Sequence, residues 1–328
     1  MNLSELILLN NKLENLTLTD VHADVLHRFN HIMHETGVPQ GGIEVDFRDN
    51  LTTLNSELEE KFNSLENELT AYKEHVQELI TKEGIRWFQA STTRYKKQLE
   101  SRYAQNCEAV DDPKNAPVVL EDNAAAMIKS RLGLYLDWHY PALNIHPMHE
   151  PWINDMVAND PLYIVDESPF LIKPSISHFN DLYKSRLRLY FIEEDFDYNK
   201  PMLEKLPDGQ FGFCLVYNYL NYRPFELIKK YLSELYNKMR PGGVLAITYN
   251  DCDRHQAIQY VEQGITCYTP GSLVKGWAKY VGFEEVFEYQ PESAVNVWLE
   301  LRKPGKLTSV RGGQTLAKIM SKPVAESK

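Results

Sequence analysis

Three polar residues stand where apolar runs of this sequence end: Asp166 after Leu162–Val165, Asp195 after Leu187–Ile192, and Asn218 after Phe211–Tyr217. Runs of this length read as buried strands. Groups at the carboxyl ends of parallel strands are the ones that meet ligands and substrates. Upstream of Asp166, Ala142–Ile145 is a further strand-like run, followed by the loop His146-Pro147-Met148-His149-Glu150. Pro151 then suits a first helical turn, and Trp152, Ile153, Met156 and Val157 recur at helical spacing. Strand, loop, helix, strand, acid is the opening of a nucleotide-binding βαβ unit, in which an acid meets ribose hydroxyls.

Two other groups carry chemical side chains. His139, His146, His149 and Glu150 are ligand types for a metal, but their spacing matches no zinc motif, and no metal is assigned. Tyr249, Asp251, Asp253 and His255 follow the apolar run Val244–Thr248 and include candidates for a general base; they serve equally as loop polar groups.

The elements that must position these residues follow in order. Ala124–Trp138 reads as a helix, and Phe170–Tyr183 as helical around a break at Pro174. Phe225–Met239 carries an inward stripe of Leu227, Ile228, Tyr231, Leu232 and Leu235. Arg240-Pro241-Gly242-Gly243 reads as a turn into the strand Val244–Thr248. Gly271–Val281 is a helix ended by Gly282, and Phe283–Tyr289 with Val295–Leu301 forms a terminal hairpin. Strands alternating with helices give an α/β, Rossmann-like fold.

Leu143-Asn144-Ile145-His146-Pro147-Met148-His149-Glu150 resembles the first motif of class I S-adenosylmethionine (SAM) dependent methyltransferases. There a strand ending in an acid leads into a glycine-rich loop, often Leu-Glu-Ile-Gly-Pro-Gly-x-Gly. Asn144 stands at the acid, Pro147 is kept, and His146, Met148 and Glu150 occupy the three glycine positions. The Pro-Gly-Gly segment is similar to a late landmark of that family, and the likeness runs from Ala124 to Lys303. It implies a seven-stranded methyltransferase-type domain with cofactor positions at Asn144, His146, Met148, Asp166, Asp195 and Asn218. Asp166 would take the ribose, Asp195 the adenine amino group, and Asn218 would lie near the substrate. Arg131 and Trp138 would line the pocket. Glycines let a cofactor lie against bare main chain. Side chains at all three positions imply an eroded site, with no cofactor expected and a structural role. The alternative is an active SAM-dependent methyltransferase acting on a small molecule or a protein. Asn218-Tyr219-Leu220-Asn221 is not the Asn/Asp-Pro-Pro-aromatic motif of nucleic-acid amino-methyltransferases.

Ahead of this domain lies a helical arm. Leu6, Ile7, Leu9 and Leu13 form one apolar face, and a second helix is expected from a cap at Thr19 or Asp20. His27, His31 and His34 share helical spacing within it, a solvated or packing face lacking a metal motif. A turn is expected at Gly37–Gly42. Leu58, Phe62, Leu65, Leu69, Tyr72, Val76 and Leu79 then alternate at spacings of four and three, a coiled-coil seam predicting a homo-oligomer. The domain boundary is placed near Asp111–Pro117: residues 1–110 form the arm, 118–303 the methyltransferase-like domain, and 304–328 a basic tail. An acidic chain with such an arm is similar to uncharacterised methyltransferase-like proteins of tailed phages, which implies protein assembly partners and a virion role.

Composition sets the outer bounds. A net charge of −11 over 328 residues argues against broad binding of nucleic acid or anionic membranes. The sequence holds no apolar run of membrane-spanning length. Cys107, Cys214, Cys252 and Cys267 form no Cys-x-x-Cys pair and fit buried thiols in a reducing compartment, the cytoplasm, or in a virion.

Overall fold

The computed structural model describes residues 2–15, 45–104, 122–147, 152–177, 179–290 and 296–308. The Thr19 or Asp20 cap, the His27, His31 and His34 face, the Gly37–Gly42 turn and the 111–117 boundary lie outside them. So do Met148, His149, Glu150 and most of the basic tail. The chain forms two compact units, Met1–Arg86 and Trp87–Lys328.

In the first unit, α1 (Leu3–Glu14) opens with a reciprocal cap. The Asn2 side chain accepts from the Glu5 N–H at 2.8 Å, and the Glu5 carboxylate accepts from the Asn2 N–H at 2.9 Å. Two otherwise orphaned donors are thereby satisfied. Leu3, Leu6, Ile7 and Leu13 are buried, while Leu9 is only half-buried. The periodic segment of the sequence is one 60-residue helix, α2 (Val45–Ala104), which carries Gly84 without a break. From Trp87 onward α2 belongs to the second unit. Among the described residues no helix is long and apolar enough to cross a membrane.

The second unit continues with α3 (Asp122–Leu132), which ends six residues before the expected Trp138. At Gly133 the backbone tightens, with Leu134 and Tyr135 N–H groups donating to Arg131 and Leu132 carbonyls. Strand β1 (Ala142–Ile145) leads to a 3-10 helix at Trp152–Ala158, then β2 (Leu162–Asp166). Next comes α4 (Pro169–Ile176), which runs through Pro174 instead of breaking there. The chain stops only after Ile176 and resumes in the short α5 (Asp181–Lys184). Strand β3 (Arg188–Phe191), β4 (Phe211–Val216), α6 (Phe225–Lys238) and β5 (Met239–Asn250) follow. The chain closes with α7 (His255–Glu262), α8 (Gly271–Val281), β6 (Glu284–Tyr289) and β7 (Asn296–Arg302).

The seven strands form one sheet in the order β3-β2-β1-β4-β5-β7-β6. β7 runs antiparallel to both β5 and β6, and the other pairings are parallel. This is the Rossmann-like seven-stranded architecture with an N-terminal helical arm that the sequence leads one to expect. Every residue of β4 is buried, as suits a central parallel strand covered on both faces. Alternate residues go to opposite faces. Leu143, Ile145, Cys214 and Val216 join the α6 and α8 side; Ala142, Phe213 and Leu215 join the α3 and α4 side.

One expectation is corrected in detail. The Pro-Gly-Gly segment lies inside β5, where the pairing to β4 jumps from Phe211–Met239 to Phe213–Val244. It is a bulge at Gly242, whose φ is 79°.

Candidate functional site

Chain order reverses between β1 and β4, so their carboxyl ends flank the crevice where this architecture places ligands. Two non-glycine residues with left-handed backbone bracket it: His146 after β1, φ 57°, and Asn218 after β4, φ 55°. For a histidine this conformation costs on the order of 1–2 kcal/mol.

The His146 side chain turns inward. Its Nδ1 lies 3.1 Å from Asp166 Oδ1, and its ring centroid is 4.4 Å from that of Tyr219. Its N–H donates to the Val165 carbonyl at 2.7 Å, fixing the loop start to β2. Asp166 Oδ1 also accepts from the Glu167 N–H at 2.7 Å, while Asp166 Oδ2 is buried and unpartnered among the described residues. From the far side, Ser175 on α4 donates to the Pro147 carbonyl at 3.0 Å.

Beneath this pair lies a buried ionic cluster. Arg223, just ahead of α6, is 1% exposed. Its Nε donates to Glu194 Oε1 at 3.0 Å and its Nη2 to Glu167 Oε1 at 2.5 Å. The guanidinium carbon sits 3.8 Å from the Tyr219 ring centroid, a cation–π contact. Glu194 Oε1 also accepts from Tyr219 at 2.8 Å and Tyr231 at 2.9 Å, and Glu194 Oε2 accepts from the Tyr95 hydroxyl of α2. Burial would lower the Arg223 pKa, but Glu194 and the surrounding oxygens outweigh it and hold the guanidinium charged. Burial pushes the Tyr219 and Tyr231 hydroxyls well above their usual range, so they remain donors.

The sequence-derived positions divide accordingly. His146 and Asp166 meet each other, and Asn218 lies across the crevice. The Asn218 N–H donates to Thr248 at 2.5 Å, and its side chain accepts from Asn221 at 3.0 Å. Asn144 is fully buried within β1 with its amide 3.3 Å from Met156 sulfur. Met148 lies outside the described residues. Asp195 takes part in a surface turn, accepting from the Asp197 N–H at 2.9 Å and pairing with Lys200 at 3.2 Å. The Asp197 hydrogen bond is the main cause of its lowered pKa. The turn is closed by Lys230, whose ammonium donates to the carbonyls of Asp195, Asp197 and Lys200 at 2.6–2.8 Å.

Glu167, Glu194, Tyr95 and Arg223 were not singled out as site residues by sequence reasoning. The acidic run Glu193-Glu194-Asp195 after β3 was the available signal for one of them.

Asp251, Asp253 and Arg131 are engaged elsewhere. Asp251 accepts from the Gly271 N–H at 2.9 Å and Asp253 from the Ser272 N–H at 2.7 Å, so both acids cap the start of α8. Arg131 pairs with Glu300 of β7, at 2.9 Å from Nε and 2.5 Å from Nη2. Cys214, Cys252 and Cys267 are free thiols, all buried. Among the described residues no group of three His, Cys, Asp or Glu is placed to hold a metal.

No family model and no curated protein matches this chain. Solved structures are similar to it. One is the N-methyltransferase NodS from Bradyrhizobium japonicum in complex with S-adenosyl-l-homocysteine, 15% identical, covering 64% of this chain and 98% of that one, TM-score 0.44. Another is an S-adenosylmethionine dependent methyltransferase from Mesorhizobium loti, 9% identical, covering 53% and 96%, TM-score 0.41. A third is the [4+2]-cyclase SpnF, 12% identical, covering 57% and 83%, TM-score 0.44.

Proposed function

We propose that this chain is a non-catalytic protein on a methyltransferase-type fold, its crevice closed by its own side chains and its role structural. One observation carries the reading: His146 lodges between Asp166 and Tyr219 from a left-handed backbone position that suits glycine. SAM in such a crevice needs bare main chain at residue 146 and the Asp166 carboxylate for its ribose. Here an imidazole stands in the first place and holds the second. The residues present therefore do not fit SAM. Homo-oligomerisation through the Leu58–Leu79 seam, and assembly with other proteins as in a virion, belong to the same proposal. Their support is the apolar side chains of α2 within reach of solvent, Leu65 and Tyr72 among them.

One observation favours the second reading, an active SAM-dependent methyltransferase: Asp166 Oδ2 is a buried acceptor that a ribose hydroxyl would satisfy. Thermal unfolding with SAM separates the two. Ligand at about 100 times its Kd stabilises by about 2.7 kcal/mol. The closed-crevice reading expects a midpoint shift below about 1 °C at about 1 mM SAM or its demethylated product, and a shift of several degrees contradicts it.

A further inference from the structure

From the charge pattern along α2 we infer that the arm pairs with a second copy of this chain as a parallel, in-register coiled coil. The inference rests on the seam oligomerisation proposed above, concerns the arm alone, and stands whether or not the crevice binds a ligand. Heptad assignment places Phe62 and Leu69 at a, and Leu65 and Tyr72 at d. Leu65 is 51% and Tyr72 48% exposed, while Phe62 and Leu69 are half-buried. Val76, the next a residue, is 2% exposed and already covered, so the seam offered to a partner ends at Tyr72.

The flanking positions decide the occupant and its direction. Lys61 and Glu68 fall at g, and Glu66 and Lys73 at e. In a parallel pair, g of one helix meets the following e of the other. Lys61 then faces Glu66 of the second copy, and Glu68 faces Lys73. Twofold symmetry repeats both contacts, and all of them are attractive. An antiparallel pair that layers Leu65 on Leu69 and Phe62 on Tyr72 would set Glu66 against Glu66 and Glu68 against Glu68 of the second copy. The helix is thus complementary to itself in one orientation, and the complementary charges flank the open part of the seam.

Cysteine pairing tests the geometry on the full chain, in a Cys107→Ser background with the buried Cys214, Cys252 and Cys267 left in place. Leu65→Cys and Tyr72→Cys, made separately, should each form a disulfide-linked dimer on mild oxidation. Asn67→Cys, on the outer f position, should not. No dimer from either seam variant, or preferential joining of Leu65→Cys to Leu69→Cys in a mixture, overturns the proposal. Sedimentation equilibrium supplies a test that leaves the seam intact. Lys61→Glu should weaken dimerisation about tenfold, and Lys61→Glu with Glu66→Lys should restore it. An unchanged dissociation constant in the single variant counts against the pairing.

Discussion

Arg223 keeps its charge at 1% exposure because two carboxylates, Glu194 and Glu167, and the face of Tyr219 surround it. Removing one partner of a buried ion pair leaves the other uncompensated, at a cost of about 3–5 kcal/mol. Arg223→Met should therefore lower the thermal midpoint by roughly 10 °C, and adding Glu194→Gln should recover part of the loss. A midpoint within a degree or two of the wild type would mean that the cluster does not hold the crevice together. At this scale the sequence reveals Asp166, because an acid closing an apolar run has one place to go. It does not separate Glu194 from Asp195. Within three consecutive acids, the path of the chain after β3 decides which turns inward, and Lys230 and Lys200 fix that path. Tyr95 reaches Glu194 from 99 residues away, a pairing that no local pattern encodes.

Two elements depend on single residues in ways that can be measured. α3 and the turn after it are fastened to β7 by Arg131 and Tyr135, both on the fully buried Glu300. Burial opposes the Glu300 charge, but Arg131, Tyr135 and Trp298 outweigh it and leave its pKa below the usual 4.5. A depressed acid contributes stability that is complete above its unfolded value and is lost as pH falls through the folded one. The wild type should therefore lose stability below about pH 4.5, and Glu300→Gln should be less stable at neutral pH with a flatter acid limb. Parallel acid limbs in denaturant titrations would exclude Glu300 as a source. In β5, a Cβ on Gly242 would lie 2.3 Å from the Leu307 backbone nitrogen. Gly242→Ala should cost about 2–4 kcal/mol in chemical denaturation, and a loss under about 0.5 kcal/mol would show that the segment after β7 can yield. The sequence shows the two glycines but not the bulge, because that needs the register of β5 against both β4 and β7. The succession of strands and helices is legible in the apolar runs, while the seven-stranded arrangement follows from the resemblance to class I methyltransferases.

For the molecule as a whole, the arm and the crevice make separate claims. The arm bears on the proposed pairing of α2, and the crevice on the proposed absence of cofactor binding. Replacing His146, Met148 and Glu150 together by glycine tests whether the loop alone closes the crevice. If the loop closes the crevice, the triple variant should gain SAM binding that the unaltered chain lacks. No gain would show that the crevice is closed elsewhere as well. The most direct measurement is a calorimetric titration of the unaltered full chain with SAM's demethylated product, which keeps the ribose that Asp166 would hold. A closed crevice predicts no saturable heat up to millimolar ligand, and a binding isotherm at micromolar concentration would contradict it.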